Sequence, residues 1–249
     1  MKSLGLIGFG QFGRLAAGVL KLHFDVLATD VAADAEAAAR NAGVAFGTLE
    51  QAAAREVVVV AVPVIVMREM FAAIAPHLRP GALVVDVGSV KVLPARWMAE
   101  LLPANVDLVA THPLFGPQSA KAGLKGLRFV VCPIRGDRYE RVAAFGRSLG
   151  LSVTVTSPEE HDREMAYVQA LTHLIGRSLV NLDIPDEQLK TPSYQHLLEL
   201  CSLIGADTFE LFTAIQTQNP YAAEVAEAFV SEARSLLDQV AQAPPATTV

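Results

Sequence analysis

The chain has 249 residues, of which 52% are hydrophobic and only 18% charged, and its formal net charge is −6. This length is enough for one large domain or two modest ones, and the composition excludes disorder over most of it. The negative charge argues against nucleic acid or an anionic membrane surface as a partner. The sequence also lacks the long apolar run of a membrane span and the features of a signal peptide, so we expect a cytoplasmic protein without a membrane partner.

Short runs of β-forming residues alternate with amphipathic helical stretches in the first part of the chain. The predicted strands are Ser3–Gly8, Asp25–Thr29, Val57–Val62, Ala82–Asp86, Asp107–Thr111, Arg128–Cys132 and Ser152–Val155. The predicted helices between them include Gln11–Leu22, Ala33–Ala42 and Val64–Ala75. This alternation predicts an α/β fold with a Rossmann-type parallel sheet covered by helices.

After Pro158 the pattern becomes helical, and no convincing strand follows. The predicted helices are Glu159–Leu182, Tyr194–Leu203, Asp207–Thr217 and Tyr221–Val240. We therefore predict a dinucleotide-binding Rossmann domain over 1–157 and an all-helical domain over 158–249, with a frayed tail from Ala243. The helical domain is predicted to bind substrate and form a homodimer; a helical cap on a monomer is the alternative.

A glycine turn follows the first predicted strand and opens the first predicted helix. Its residues are Gly8, Phe9, Gly10, Gln11, Phe12 and Gly13. In this context the three glycines are typical of a dinucleotide site, because they permit a tight turn, close approach of the backbone to the pyrophosphate and close packing of helix on strand. The amide groups at the start of the helix then face the phosphates. We include Val62, at the end of a neighbouring strand, among the cofactor contacts.

Asp30 stands at the end of the second predicted strand, where a carboxylate accepts hydrogen bonds from the adenosine ribose and repels a 2′-phosphate. No Arg or Lys follows it before Arg40. The cofactor is therefore predicted to be NAD rather than NADP, and Asp30 could serve as a helix N-cap at the same time.

Two polar segments follow apolar strands, where open α/β sheets bind ligands. One contains Asp86, Ser89 and Lys91, and the other begins Thr111-His112-Pro113. A histidine held at a strand end is suited to act as a general base at neutral pH. From the residue pattern alone, a structural role for His112 is equally open.

The sequence resembles the prephenate/arogenate (cyclohexadienyl) dehydrogenase family, especially its compact plant-type arogenate dehydrogenases. The matching segments are Gly8-x-Gly10-x-x-Gly13, Asp86-x-x-Ser89-x-Lys91, Thr111-His112-Pro113-Leu114-Phe115-Gly116-Pro117, Glu160-His161-Asp162, Gln169-Ala170-Leu171-Thr172-His173, Thr208–Phe212 and Gln218-Asn219. The resemblance extends from Leu4 to about Leu237. It implies oxidation of a ring hydroxyl by NAD(P), followed by loss of the ring carboxylate, as in tyrosine biosynthesis.

By this resemblance, His112 accepts the hydroxyl proton and Ser89 fixes its orientation. The substrate is a small cyclohexadienyl dicarboxylate, and the residues expected to contact it are His173, Gln169, Lys91, Gln195 and Arg177. Alternatives remain for three of them: Gln169 as an exposed helix residue, Arg177 as a surface residue and Lys91 as a support for Ser89 or a helix cap. His161 is expected to be structural, and no metal is expected.

Two departures from the family bear on the substrate. Thr191-Pro192-Ser193-Tyr194 is followed by Gln195 and His196, where many prephenate-specific relatives carry an arginine for the ring carboxylate. The stretch 118–123 also lacks the acidic residue that favours arogenate in plant-type relatives. The two departures act in opposite directions. We favour arogenate and leave open whether the protein also uses prephenate and whether tyrosine inhibits it.

Two other functions compete with this one. The Asp-x-x-Ser-x-Lys segment also resembles β-hydroxyacid dehydrogenases and imine reductases, which lack the His-Pro-x-Phe-Gly-Pro loop. A non-catalytic dinucleotide-binding sensor is the second alternative. Cys132 and Cys201 are expected to be buried free thiols.

Overall fold

A computed structural model of the chain describes residues 1–242. Its sheet has eight strands in the order β3-β2-β1-β4-β5-β6-β7-β8. In chain order they are β1 (Lys2–Ile7), β2 (Phe24–Thr29), β3 (Ala45–Phe46), β4 (Val57–Val60), β5 (Leu83–Asp86), β6 (Asp107–Pro113), β7 (Arg128–Arg135) and β8 (Ser152–Val155). The predicted Rossmann-type α/β fold is therefore confirmed.

The helices are joined to these strands in the expected alternation. They are α1 (Gln11–Leu20), α2 (Ala35–Ala42), α3 (Leu49–Ala53), α4 (Val64–Ile74), α5 (Val92–Leu101), α6 (Tyr139–Ser148), α7 (Pro158–Met165), α8 (Thr172–Asn181), α9 (Pro192–Gly205), α10 (Phe209–Gln218) and α11 (Ala222–Gln242). Short 3₁₀ segments lie at 75–77 and 119–122, and a π-helical segment, Ala166–Leu171, joins α7 to α8.

Only one pairing in the sheet, that of β6 with β7, is antiparallel, so β7 and β8 both run opposite to the other six strands. β6 and β7 pair antiparallel, with His112 opposite Val130, while β7 and β8 pair parallel. The sequence did not predict this reversal, because β7 carries the same β-forming residues in either direction. It also did not predict β3, whose two residues are too few to show a period.

The core lies on the sheet because its central strands are apolar on both faces. Val58, Val59 and Val60 of β4 are buried, as a central parallel strand requires. One core cluster joins β1 and β2 to the alanine face of α2, where Ala35 and Ala39 are fully buried. This packing fixes the carboxyl ends of β1, β2, β4, β5 and β6, from which the candidate site residues follow.

The chain divides into two compact units, and the division falls after Asp162. The first unit contains the sheet. The second, which begins at Arg163, is helical and has a small core around Ala170, Ile215 and Ala222. The boundary predicted at 157/158 falls just before α7, whereas the division lies within that helix. The predicted frayed tail from Ala243 lies outside the described residues.

Three further observations concern the part of the chain that the structure describes. None of its helices combines the length and the apolar character needed to cross a bilayer. Residues 1–242 contain no group of three or more His, Cys, Asp or Glu arranged to hold a metal ion. Both cysteines are free, but only Cys132 is buried; Cys201 is partly exposed, which corrects the prediction of two buried thiols.

Candidate active site

The glycine turn between β1 and α1 has no room for side chains on its inner side. Gly8 has φ = 101°, and a Cβ there would lie 2.6 Å from the Ala61 carbonyl oxygen and 2.9 Å from the Val62 nitrogen. At Gly13 a Cβ would lie 2.2 Å from the Gly8 carbonyl oxygen. Any larger residue at either position would push α1 or the loop after β4 away from the turn. The turn thus brings Gly8, Gly13 and Val62 together, as a dinucleotide site requires.

The outer side of the turn is open. Gly10 is exposed at the N-terminus of α1, and a Cβ built there would meet no described atom within 4 Å. The first amide groups of α1 have no side-chain cap at Gly10, and an anion near them would be stabilised by the helix dipole. The geometry therefore fits the phosphates of a dinucleotide.

Asp30 is tied to this turn by its carboxylate. Its Oδ2 accepts a hydrogen bond from the Phe9 nitrogen at 2.5 Å, and its Oδ1 accepts one from the Ala32 nitrogen at 2.8 Å. Asp30 remains partly exposed, so its other lone pairs can accept from ribose hydroxyls. This placement fits the role predicted for it.

The three remaining residues of the turn differ in what they can offer a ligand. The Phe9 side chain is buried in the core, so only its backbone is available to a cofactor. Gln11 is exposed on the first turn of α1. The Phe12 ring lies 6.4 Å, between centroids, from the ring of Phe115 in the loop after β6.

Arg14 and Asp34 form an ion pair beside the turn that the sequence analysis missed. The Arg14 Nε donates to the Phe9 carbonyl oxygen at 3.0 Å, and its Nη2 donates to Asp34 Oδ2 at 2.7 Å. The expected cation for a 2′-phosphate lies after Asp30 in the sequence, whereas Arg14 approaches from α1, which precedes it. Arg14 directly follows Gly13 in the sequence, and this position next to the glycine turn could have identified it as a cation near the cofactor.

A buried ion pair joins the ends of β5 and β6. The Lys91 ammonium donates to Asp86 Oδ2 and, at 2.6 Å, to the Thr111 carbonyl oxygen. Neither charged side chain has exposed surface. Thr111 completes the cluster by donating from Oγ1 to the Asp86 carbonyl oxygen at 2.6 Å. The sequence predicts that Lys91 contacts the substrate, supports Ser89 or caps α5; its ammonium instead binds Asp86 and Thr111, and its side chain makes no cap hydrogen bond to α5.

His112 lies in a chain of three buried side chains. Its Nδ1 is 2.9 Å from Nε2 of His161, whose Nδ1 is 2.7 Å from Oδ1 of Asp162. The Asp162 carboxylate also accepts from the backbone nitrogens of Lys91 and Val92, both at 2.8 Å, where α5 begins. His161, expected to be structural, therefore contacts the candidate base directly.

The direction of these hydrogen bonds follows from the Asp162 carboxylate, which can only accept. A carboxylate accepts, so the proton between Asp162 and His161 belongs to His161 Nδ1. In neutral His161 the lone pair is then on Nε2, which accepts from His112 Nδ1. This leaves the lone pair of His112 on Nε2, for which no hydrogen bond is found within residues 1–242.

The surroundings of His112 favour its neutral form. Burial lowers the pKa of its imidazole well below the usual 6.5, and the nearby ammonium of Lys91 acts in the same direction. A neutral imidazole with a free Nε2 can accept a proton at neutral pH.

Ser89, in the loop after β5, carries an unsatisfied hydroxyl group. The residue is buried, yet its Oγ has no hydrogen-bond partner in the described part of the chain. Buried hydroxyl groups are usually hydrogen-bonded, so a buried hydroxyl group without a protein partner indicates that a ligand or a water binds it. The position fits its predicted contact with a substrate hydroxyl group or with His112.

In the second unit, three of the predicted substrate residues carry buried polar atoms without a partner among the described residues. These atoms are Gln169 Oε1, His173 Nδ1 and Arg177 Nε. His173 is buried, which lowers its pKa. Arg177 also donates to the Asp207 carbonyl oxygen at 2.7 Å, so part of its guanidinium supports the loop after α9. Gln195, the fourth, is partly exposed on α9.

Comparisons with known proteins agree with this geometry. Residues 16–151 match the family model described as prephenate dehydrogenase, nucleotide-binding domain, and residues 157–244 match the one described as prephenate dehydrogenase, dimerization domain. The chain is 33% identical to arogenate dehydrogenase 2, chloroplastic, of Arabidopsis thaliana, over 96% of this chain and 71% of that protein. It is 31% identical to a probable arogenate/prephenate dehydrogenase of Methanocaldococcus jannaschii, over 81% of this chain but only 48% of that protein.

The fold is also found among solved structures. The crystal structure of prephenate dehydrogenase from A. aeolicus, in complex with hydroxyphenyl propionate and NAD+, aligns with a TM-score of 0.78 at 18% identity. The alignment covers 97% of this chain and 91% of that one. With two family models covering both units and a relative matched over most of its length, the chain belongs to the prephenate dehydrogenase family.

Proposed function

We propose that the protein is an NAD-dependent dehydrogenase that oxidatively decarboxylates arogenate, prephenate or both. The observation that carries this proposal is the buried chain from Asp162 through His161 to His112, which leaves His112 Nε2 as a base. The glycine turn, open at Gly10, and Ser89, whose hydroxyl group lacks a partner, supply the cofactor and substrate groups that such a base needs.

The cofactor is held by the glycine turn and selected by Asp30. The exposed backbone at Gly10 and the first amides of α1 receive the diphosphate, and Asp30 accepts from the ribose hydroxyls. The carboxylate repels a 2′-phosphate, so we assign NAD. When bound, NAD accepts the hydride that leaves the substrate ring.

His112 moves the proton. Its Nε2 takes the proton of the ring hydroxyl group as the hydride leaves the same carbon, so the hydroxyl group becomes a ketone. The resulting imidazolium is stabilised through His161 by the Asp162 carboxylate. Ser89 Oγ donates to the reacting oxygen and keeps it in line with Nε2.

Decarboxylation follows without another catalytic group. The bond between the ring and its carboxylate breaks, carbon dioxide leaves, and the electron pair enters the ring. Aromatisation drives this step, and the phenolate oxygen takes back the proton from His112. A site that excludes water is sufficient, since one base serves both proton transfers.

In the second unit we assign Gln169 and His173 to the substrate, with Arg177 and Gln195 as further candidates. Support comes from the unpartnered buried atoms of the first three, because groups of this kind are costly unless a ligand satisfies them. The absence of an arginine after Tyr194 favours arogenate over prephenate.

We also infer that the protein is a homodimer formed through its helical unit. The match to a dimerization-domain model supports this, as does α11. Large apolar side chains are exposed on α11: Phe229, Val230, Leu236, Leu237 and Val240. A second copy of the chain would bury such a surface.

The decisive experiment is an assay of NADH formation from arogenate and from prephenate, each with NAD and NADP. We expect activity with NAD and at least one substrate. His112→Asn should lower kcat by about 10³-fold with little change in substrate affinity, within the range that acid–base catalysis and misorientation together account for. The exposed His77 offers the matched control, His77→Asn, which should retain activity. Absence of reduced cofactor with both substrates would refute the proposal.

A further inference from the structure

The cofactor preference of this chain depends on more than Asp30. We propose that Asp34 is a specificity-determining residue: it pairs with Arg14 and so withholds from a 2′-phosphate the cation that would bind it. This inference rests on the proposed function, since it assumes that an adenosine ribose lies at Asp30.

Phe9 places the two charged groups in the same part of the turn. Its backbone nitrogen donates to Asp30, and its carbonyl oxygen accepts from Arg14 Nε at 3.0 Å. Under the proposed function, a ribose bound by Asp30 would thus lie beside Phe9, whose carbonyl oxygen Arg14 contacts. In Rossmann domains an arginine near this ribose is the group that accommodates a 2′-phosphate.

Arg14 is nevertheless engaged by another anion. Its Nη2 donates to Asp34 Oδ2 at 2.7 Å, in the turn that leads into α2. Arg14 also holds the pKa of the Asp34 carboxyl below its usual value, which keeps the carboxylate charged. The local group thus consists of two carboxylates and one guanidinium, and its net charge is negative.

The ion pair is accessible to a competing ligand. The Arg14 side chain is 46% exposed and that of Asp34 69%. Exposed pairs of this kind are weak. A guanidinium also has five donors in a planar fork suited to phosphate. Among residues 1–242, two of the Arg14 donors are engaged. Removing the Asp34 charge would free Arg14 for the 2′-phosphate without altering the turn.

The test is direct measurement of NAD and NADPH binding by calorimetry and by NADPH fluorescence, without substrate. Asp34→Asn should tighten NADPH binding about tenfold relative to NAD binding, as expected for one charge-assisted contact to phosphate. The gain should shrink at high salt. The double variant Asp34→Asn/Arg14→Gln should lose the gain in NADPH affinity. Thermal unfolding and retained NAD binding would show that this double variant is folded.

The matched control is Glu36→Gln. Glu36 lies on α2, is exposed and pairs with Arg40, so this variant removes the same charge from the same helix without touching Arg14. It should leave the ratio of the NADPH and NAD affinities within about twofold of the wild-type ratio, because Glu36 pairs with Arg40 and its loss leaves the Arg14–Asp34 pair intact.

Two results would overturn the inference alone: an unchanged NADPH affinity in Asp34→Asn, or a gain that survives removal of Arg14. An equal gain in NADPH affinity in Glu36→Gln would also overturn the inference, because the gain would then come from the lower negative charge of the protein and not from the release of Arg14. If the wild-type protein bound neither dinucleotide, the proposed function would fail and this inference with it.

Discussion

Individual side chains near the ends of β5 and β6 combine two tasks, supporting the strands and orienting the imidazole of His112. Asp162 shows both, since it caps the start of α5 through two backbone nitrogens and also orients His161. Lys91 is confined to support, because its ammonium is buried against Asp86 and Thr111. The imidazole of His112 is thus held by residues that the fold itself requires.

The pH dependence of activity should report the lowered pKa of His112. The base must be neutral, so kcat/KM should fall as the pH drops through the pKa of His112, and this limb should lie below pH 6.5. Because this pKa is lower in the folded than in the unfolded chain, the free energy of unfolding should also decrease as the pH falls below 6.5. A pH–rate profile and urea titrations at several pH values would test both. An acid limb above pH 6.5 would contradict the assignment.

Replacing Lys91 should destabilise the protein strongly. Lys91→Met leaves the Asp86 carboxylate buried without its cation, which costs about 3–5 kcal/mol. Urea denaturation would measure the loss, and Lys121→Met, at an exposed lysine, is the matched control. The double variant Lys91→Met/Asp86→Asn should recover part of the stability. A loss below about 1 kcal/mol would show that the pair is not essential.

At the level of helices and strands, the sequence predicted most of the sheet, because its buried strands are apolar on both faces. The bounds of β8 were predicted correctly, and the ends of β1 and α1 differ by only one or two residues from the prediction. The antiparallel direction of β7 could not be predicted, since direction depends on pairing rather than on local preference. The predicted helix 159–182 contains a π-helical segment that the apolar period does not reveal.

Two glycines of α1 allow a test of how closely the helix packs against the glycine turn. Gly13→Ala would place a Cβ 2.2 Å from the Gly8 carbonyl oxygen, so we expect a loss of about 1–3 kcal/mol in stability and weaker dinucleotide binding. Gly18→Ala, on the same helix, would add a Cβ that meets no neighbouring atom of the described residues within 4 Å, and it should instead stabilise by about 0.5–1 kcal/mol. Thermal unfolding and NADH binding would compare the two. Equal effects would mean that the close contact at Gly13 is unimportant.

For the molecule as a whole, the sequence indicates the family and the two kinds of architecture but does not reveal contacts between residues distant in the chain. His112 and His161 are 49 residues apart, and no local pattern indicates that they meet. Arg14 and Asp34 are 20 residues apart and lie on different helical connections. Such contacts depend on how strands and helices pack, which a single sequence shows only through resemblance to a family.

The exposed apolar side chains of α11 allow a test of the oligomeric state. We expect the wild-type protein to sediment as a dimer, and Leu236→Glu on α11 to shift it towards the monomer, because the glutamate would have to be buried without a partner. Gln239→Glu adds the same charge at an exposed polar position of the same helix and should leave the dimer intact. Sedimentation velocity at micromolar concentration would distinguish them. A monomeric wild-type protein would contradict the inference.

The position of His161 and Asp162 at the end of the first unit has a practical consequence for dissecting the protein. A fragment ending at residue 157 would contain all eight strands and the glycine turn, yet it would lack both the partner of His112 and the carboxylate that caps α5. A fragment that ends beyond Asp162, within or after α7, would retain them. The useful cut for an isolated dinucleotide-binding fragment is therefore set by the last turn of a helix and not by the last strand of the sheet.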